Sequence, residues 1–217
     1  MARPRRVTGK AGEKLLTGPP STFVDVDPSV EPIAAGVRIL RVYSPEPYKT
    51  GPLSFRDFGP LRRFDHQRPG RIGPRRDRGR GILYAAYGLV CNVGERFGDE
   101  GAITKPGNRL ARLAVTDELS VLDLRGPAAT GAGTIPAIGG VGERHLTQAW
   151  ARWWYEHPQL PKIDGLLYAS AHSGRDAIAL WERANGKVAE DADWDLGDEQ
   201  IRDDLELAAN ELHLPTL

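Results

Sequence analysis

The sequence predicts an α+β fold, with a mixed β-sheet core and flanking helices. Apolar or β-branched runs of strand length recur along the chain, and two longer segments place apolar residues at helical spacing. The two kinds do not alternate in a regular β-α order, which argues against a doubly wound sheet. With 217 residues, 40% of them apolar, the chain is long enough to bury one sizeable core.

Residues 1–36 mix basic residues with Pro and Gly without a sustained period and read as an N-terminal extension, partly irregular. The globular domain is expected over residues 37–190. It opens with "VRILRVY" (37–43), whose alternation and β-branching predict a strand. From Pro52 to Gly81 the chain is too rich in Gly, Pro and charge for regular elements, and too long for an idle loop. "GILYAAYG" then reads as a buried strand, and "LVCNVGERFGD" as a short helix despite Gly94. "RLARLAVT" and "SVLDLRG" predict a strand pair around a polar turn at Asp117 and Glu118.

The strongest helix signal is "GERHLTQAWARWWYEHP", in which Leu146, Ala149, Trp150 and Trp153 recur at helical spacing and Pro158 supplies the stop. Its tryptophans are expected in the core. "DGLLYAS" and "DAIALWER" predict two further strands joined by the turn "AHSGR". Residues 191–217 are expected to form an acidic C-terminal helix packed on the domain, from roughly Asp198 to Leu212, with Ile201, Leu205, Ala208 and Leu212 on one face.

Formal charge balances at +0, which argues against an indiscriminate polyanion binder, but the distribution is uneven. Nine arginines between Arg56 and Arg80 face only Asp57, Asp65 and Asp77, while nine acids between Glu190 and Glu206 face Arg202 alone. A single cysteine, Cys91, forms no internal disulfide, and the chain opens without a charged-then-apolar leader, so a cytoplasmic protein is expected. No apolar run approaches the ~20 residues that cross a bilayer.

Several chemistries lack their motifs. His66, His145, His157, His172 and His213 lie far apart and Cys91 has no CxxC partner, so no metal is expected. There is no GxxxxGK[ST] loop, "GAGTIPAIGG" does not join a strand tightly to a helix, and "ASAHSG" is not GxSxG.

What remains is dispersed. Arg41 lies within a strand otherwise suited to burial, and a buried guanidinium is costly unless an anion pairs with it, either a structural carboxylate, the more frequent case, or a bound phosphate. Arg63, between Arg62 and Phe64, is a second anion-binding candidate. Glu95 follows the "LYAAY" strand closely. It is either a solvated helix residue or, in a cleft beside Tyr84, a carboxylate that stabilises cationic charge. Ser170 ends a strand at a turn, where a hydroxyl caps the turn or orients a carboxylate.

An Arg in the first strand, the "RRFDH" stretch, a "LYAAY" strand with a Glu soon after, and a late "GLLYASAH" strand followed by "DAIALWERA" resemble the RES domain, from about Val37 to about Ala184. The resemblance implies an ADP-ribosyltransferase-like mixed sheet and a toxin of a toxin–antitoxin pair that binds NAD as substrate and breaks its nicotinamide–ribose bond, without a metal. It implies catalytic roles for Glu95, Ser170 and Arg41, and a dinucleotide-binding set of Arg41, Tyr43, Arg63, Tyr84 and His172. Arg41 and Arg63 would hold the phosphates, Tyr84 would pack near nicotinamide, and Ser170 would support Glu95. Two positions depart from the family pattern: Arg62 stands where many members have Gly, and His172 where they commonly have Arg. The implied partner is an Xre-type antitoxin, through which alone nucleic acid would be met. A homodimer is also compatible with it, a membrane is not.

Three competing readings stand beside this one. An ADP-ribosyltransferase that modifies a protein shares the same half-reaction. A nucleic-acid-binding protein would use the Arg56–Arg80 loop. A docking subunit with a solvated loop would leave Arg41 paired to an internal acid.

Overall fold

The computed structural model describes residues 17–160 and 162–217. In chain order its strands are β1 (Val30–Ile33), β2 (Arg38–Tyr43), β3 (Phe58–Gly59), β4 (Arg75–Arg76), β5 (Ile82–Ala86), β6 (Arg109–Val115), β7 (Leu119–Asp123), β8 (Gly165–Ala169), β9 (Asp176–Trp181) and β10 (Val188–Asp195). The helices are α1 (Leu89–Phe97), α2 (Gly126–Gly131), α3 (Arg144–Glu156) and α4 (Arg202–Leu212). Eight strands form one sheet in the order β1-β7-β8-β9-β5-β2-β6-β10, antiparallel except where β7 meets β8, and β3 pairs with β4 in a small ribbon. The α+β expectation stands.

Both faces of the central strands are covered, which explains why β5 and β8 read as continuous apolar runs. Along β9, Ala177, Ala179 and Trp181 join α3's Trp150, Trp153 and Trp154 in one cluster. The alternate residues Ile178 and Leu180 join Ile33, Ile39, Leu113, Leu119 and Val188 in another. That second cluster draws on strands from both ends of the sheet, so the sheet is curled around it. A third cluster packs α1 and α4 over β2, β6 and β10.

The curl overturns the expected hairpin. β6 and β7 are consecutive but do not pair: β6 lies between β2 and β10, β7 between β1 and β8. The polar turn between them instead bonds to Lys187, which accepts from the backbone N–H groups of Thr116 (2.8 Å) and Asp117. The sheet also takes up β1, within the stretch read as an extension; with Pro32 at an edge it carries little strand signal. Likewise β10 occupies residues read as leading into the acidic helix. Two of its acids are matched by arginines of β6 and β2: Asp191 with Arg38 (3.0 Å) and Arg112 (2.6 Å), and Asp193 with Arg109 (2.9 Å). α4 begins after a turn of 3₁₀-helix in which Asp198 accepts from the Gln200 N–H, and buries Leu205, Ala208 and Ala209 against α1.

One seam in the sheet matters for the site. β2 and β5 share a single register pair, Leu40 with Ala86, and diverge beyond it. Arg56, from the loop after β2, bridges to Ile82 instead and takes the place β2 leaves.

Candidate active site

The divergence of β2 from β5 opens a cleft of about 320 Å³. Along β5 it runs from Ala86 to Ile82, roughly 13 Å at the usual rise of a strand. Glu95, Tyr168 and His172 line it, and so do Arg41, Arg56 and Ser44.

Glu95 is aimed by α1, whose apolar side sinks Val93 and Phe97 into the core and leaves the carboxylate half-buried at the cleft. Ser170 Oγ donates to Glu95 Oε1 at 2.6 Å, and the Tyr168 hydroxyl donates to Oε2 at 3.3 Å. Ser170 is itself fixed, since its Oγ accepts from the backbone N–H groups of His172 (3.2 Å) and Ser173 (3.3 Å). The hydroxyl therefore both caps the β8–β9 turn and orients the carboxylate. Burial, then the Glu95 charge, raises the Tyr168 phenol well above its ordinary range, so it stays a donor.

Arg41 is 8% exposed, and no carboxylate among the described residues pairs with it. Its Nη1 donates to the carbonyls of Pro52 (2.8 Å) and Ser54 (3.0 Å), and the guanidinium lies 5.5 Å from the Tyr43 ring centroid. Burial lowers its pKa to about 10; Tyr43 opposes that and Arg56 adds to it. A guanidinium this buried, beside a like charge and lacking a carboxylate, stands in a field that favours an incoming anion.

Arg63 is placed by α3: Thr147 Oγ1 donates to the Arg63 carbonyl at 2.6 Å, and Gln148 Nε2 to the Arg62 carbonyl at 2.9 Å. Phe64 drops into the core against Tyr168, which leaves both arginine side chains at the cleft. Arg63 Nη1 also donates to the Val141 carbonyl. Tyr84 lines the cleft floor while its hydroxyl donates to Asp65 at 2.9 Å and accepts from the Phe64 N–H at 3.0 Å. Tyr43 also lines the cleft, its hydroxyl donating to Asp193 (2.9 Å). His172 lies at the rim near Glu95, with Nε2 3.4 Å from Asp99. The one cysteine is no nucleophile here: burial pushes the Cys91 thiol up to about 11.

The expected site residues thus all border one cleft or, for Ser170, brace a residue that does. Three contributors escaped sequence reading. Tyr168 was findable, because two residues before Ser170 on a strand is the same face. Arg56 and the fully buried Asp65 were not, since only the folded loop joins them: Arg56 Nη2 donates to both Asp65 oxygens at 2.8 Å.

Fold and site define a mixed α+β protein with an arginine-lined cleft that also holds a hydroxyl-bonded carboxylate. The chain belongs to the RES domain family, which matches residues 39–199. Its structure is similar to a chain in the crystal structure of the M. tuberculosis MbcT-MbcA toxin-antitoxin complex, with TM-score 0.54 and 18% sequence identity over 80% of this chain and 91% of that one. No curated protein matches the chain. No helix among the described residues is long and apolar enough to cross a membrane.

Proposed function

We propose that this chain is the toxin of a toxin–antitoxin pair and cleaves the nicotinamide–ribose bond of NAD. The observation that carries the reading is the 2.6 Å bond from Ser170 Oγ to Glu95 Oε1, in the same cleft as a buried guanidinium without a carboxylate. The family and the toxin–antitoxin complex among similar folds support it.

Arg41, Arg56 and Arg63 line the same cleft and supply donors for a pyrophosphate. With the phosphates anchored, the ribose–nicotinamide bond lies toward the carboxylate. As that bond breaks, its electron pair leaves with neutral nicotinamide and positive charge spreads over the ribose ring. A carboxylate fixed by two hydroxyls stabilises that charge without reorganising. Water then adds hydroxide to the sugar carbon and releases a proton, which makes the enzyme a glycohydrolase; inorganic phosphate in its place makes it a phosphorylase.

The test is incubation of the purified chain with NAD and quantification of free nicotinamide, in phosphate and in phosphate-free buffer. Wild type releases nicotinamide, and Glu95→Gln lowers the rate by about 10²–10³ or more, the usual loss for an electrostatic stabiliser. No release by wild type in either buffer refutes the reading. Transfer of ADP-ribose to an added protein, seen as a mass increase, would assign the chain to the transferases sharing this half-reaction.

A further inference from the structure

We infer that the loop closed by Arg68 and Asp77 is a docking element for duplex DNA, separate from the cleft and independent of the reaction proposed there. Its base is locked. Arg68 donates to Asp77 from its backbone N–H (2.8 Å) and from Nη2 (2.7 Å), and Arg76 pairs with Asp57 at 3.0 Å. The Gly70 N–H closes the tip on the Gly73 carbonyl at 2.7 Å, which leaves Arg71 and Ile72 at the apex.

Ile72 is wholly exposed, the most exposed large apolar residue described. Arg71, Arg75 and Arg78 are exposed too, and none has an ion-pair partner among the described residues. Between Asp65 and Asp77 the sequence holds no acid. Two acids of the acidic stretch, Asp191 and Asp193, are matched by Arg38, Arg109 and Arg112 within the sheet and not by this loop. Zero net charge therefore conceals a local cationic surface, and the whole-molecule argument against polyanions does not apply to it.

The loop's chemistry selects among polyanions. Between Arg68 and Asp77 it has no aromatic ring, and the exposed Phe58 opposite Arg76 offers a single ring rather than a row on which successive single-stranded bases would stack. Arginines around an apolar tip suit the minor groove of a duplex, where guanidiniums meet the negative potential of a narrow groove and an apolar side chain wedges at a base step. The minor groove is about 6 Å wide, too narrow for a helix but open to a two-residue turn tip.

The experiment is a fluorescence anisotropy titration of the full chain against a labelled A·T-rich duplex over a range of salt. Binding is expected, with affinity falling steeply as salt rises. The triple variant Arg71→Ala, Arg75→Ala, Arg78→Ala is expected to make the log–log salt slope shallower by about 3, one for each lost phosphate contact. Ile72→Ser is expected to weaken binding without changing that slope. Arg202→Ala, on α4 beside Glu199, serves as the control and leaves binding unchanged. All these positions are exposed, and equal melting temperatures confirm equal folding. No binding at low salt, or a slope unchanged in the triple variant, overturns the inference. So does displacement of the duplex by polyglutamate at equal charge, which would assign the loop to an acidic protein surface. Nicotinamide release is expected to be unchanged in the triple variant, so the cleft reading and this one fail separately.

Discussion

Gly98 lies directly beneath the His172 ring: a Cβ at residue 98 would sit 2.3 Å from Nδ1. Its backbone is ordinary right-handed helix, so alanine is conformationally welcome there, and helix propensity alone favours Gly98→Ala by up to about 1 kcal/mol. A Cβ there meets the ring, which must leave the cleft rim and its place beside Asp99, and also the Gly94 carbonyl oxygen at 2.6 Å, so the last turn of α1 must shift as well. Gly98→Ala is expected to raise the KM for NAD severalfold while kcat changes little, with the melting temperature unchanged or lower despite the better helix former. Steady-state kinetics and a melting curve on one preparation check both halves.

Arg41 predicts a trade between stability and binding. Its guanidinium is buried without a carboxylate, and an apolar side chain of similar length removes that desolvation penalty, at the loss of two bonds to carbonyls. Arg41→Met is expected to unfold at the same urea concentration as wild type or a higher one, while NAD binding measured by calorimetry weakens at least about 100-fold, the worth of two charge-assisted hydrogen bonds. A variant that loses stability and keeps its affinity would place the anion elsewhere.

His66 makes stability depend on pH. Its ring is fully buried between Tyr155 and Trp181, with Nε2 3.1 Å from Glu182 and Nδ1 without a partner among the described residues. Burial lowers its pKa, and the Glu182 carboxylate pulls the other way without cancelling it. Below the unfolded value of about 6.5 the unfolded chain therefore binds more protons than the folded one, and stability falls as pH drops from there toward the depressed folded value. His66→Phe keeps a stacking ring and removes the titration. Urea midpoints are expected to decline from pH 7 to 5 in wild type and to decline less steeply in the variant.

What the sequence made legible follows from what burial does to it. β5 and β8 are covered on both faces, so "ILYAA" and "GLLYA" are apolar throughout and stand out. β10 does not, because Asp191 and Asp193 are tolerated in a strand only through arginines on β2 and β6, a pairing that no local window contains. Adjacency in sequence predicts a β6–β7 hairpin, and the curl of the sheet overrides it by placing β6 between β2 and β10 and β7 between β1 and β8. Within the cleft, Glu95 and Ser170 are separated by 75 positions and were named through family resemblance rather than spacing. Arg56 and Asp65 lay inside a run that reads as undifferentiated charge, and only the fold separates the arginines facing the cleft from those facing solvent.

Asp65 is the strongest case for a positioning residue. Its carboxylate accepts from Arg56 Nη2, the Tyr84 hydroxyl and the backbone N–H groups of Leu61 and Arg62, and it has no exposed surface. Asp65→Ala removes the shared acceptor of four donors, two of them on the half-buried Arg56 and Tyr84, and is expected to destabilise by about 3–5 kcal/mol, as for a broken buried pair. Asp65→Asn separates position from charge. It keeps one acceptor oxygen for the backbone donors but no longer neutralises Arg56, so the cleft becomes more positive. If Arg56 acted only as charge, NAD would bind more tightly in the variant. If its aim matters, binding weakens, because a guanidinium released from its carboxylate swings among rotamers and must be reordered on the pyrophosphate. The second outcome is expected: KM rises severalfold, kcat falls less, and the salt dependence of KM steepens as an oriented contact gives way to a screened one. A KM below the wild-type value would show that Asp65 restrains the site rather than arranging it.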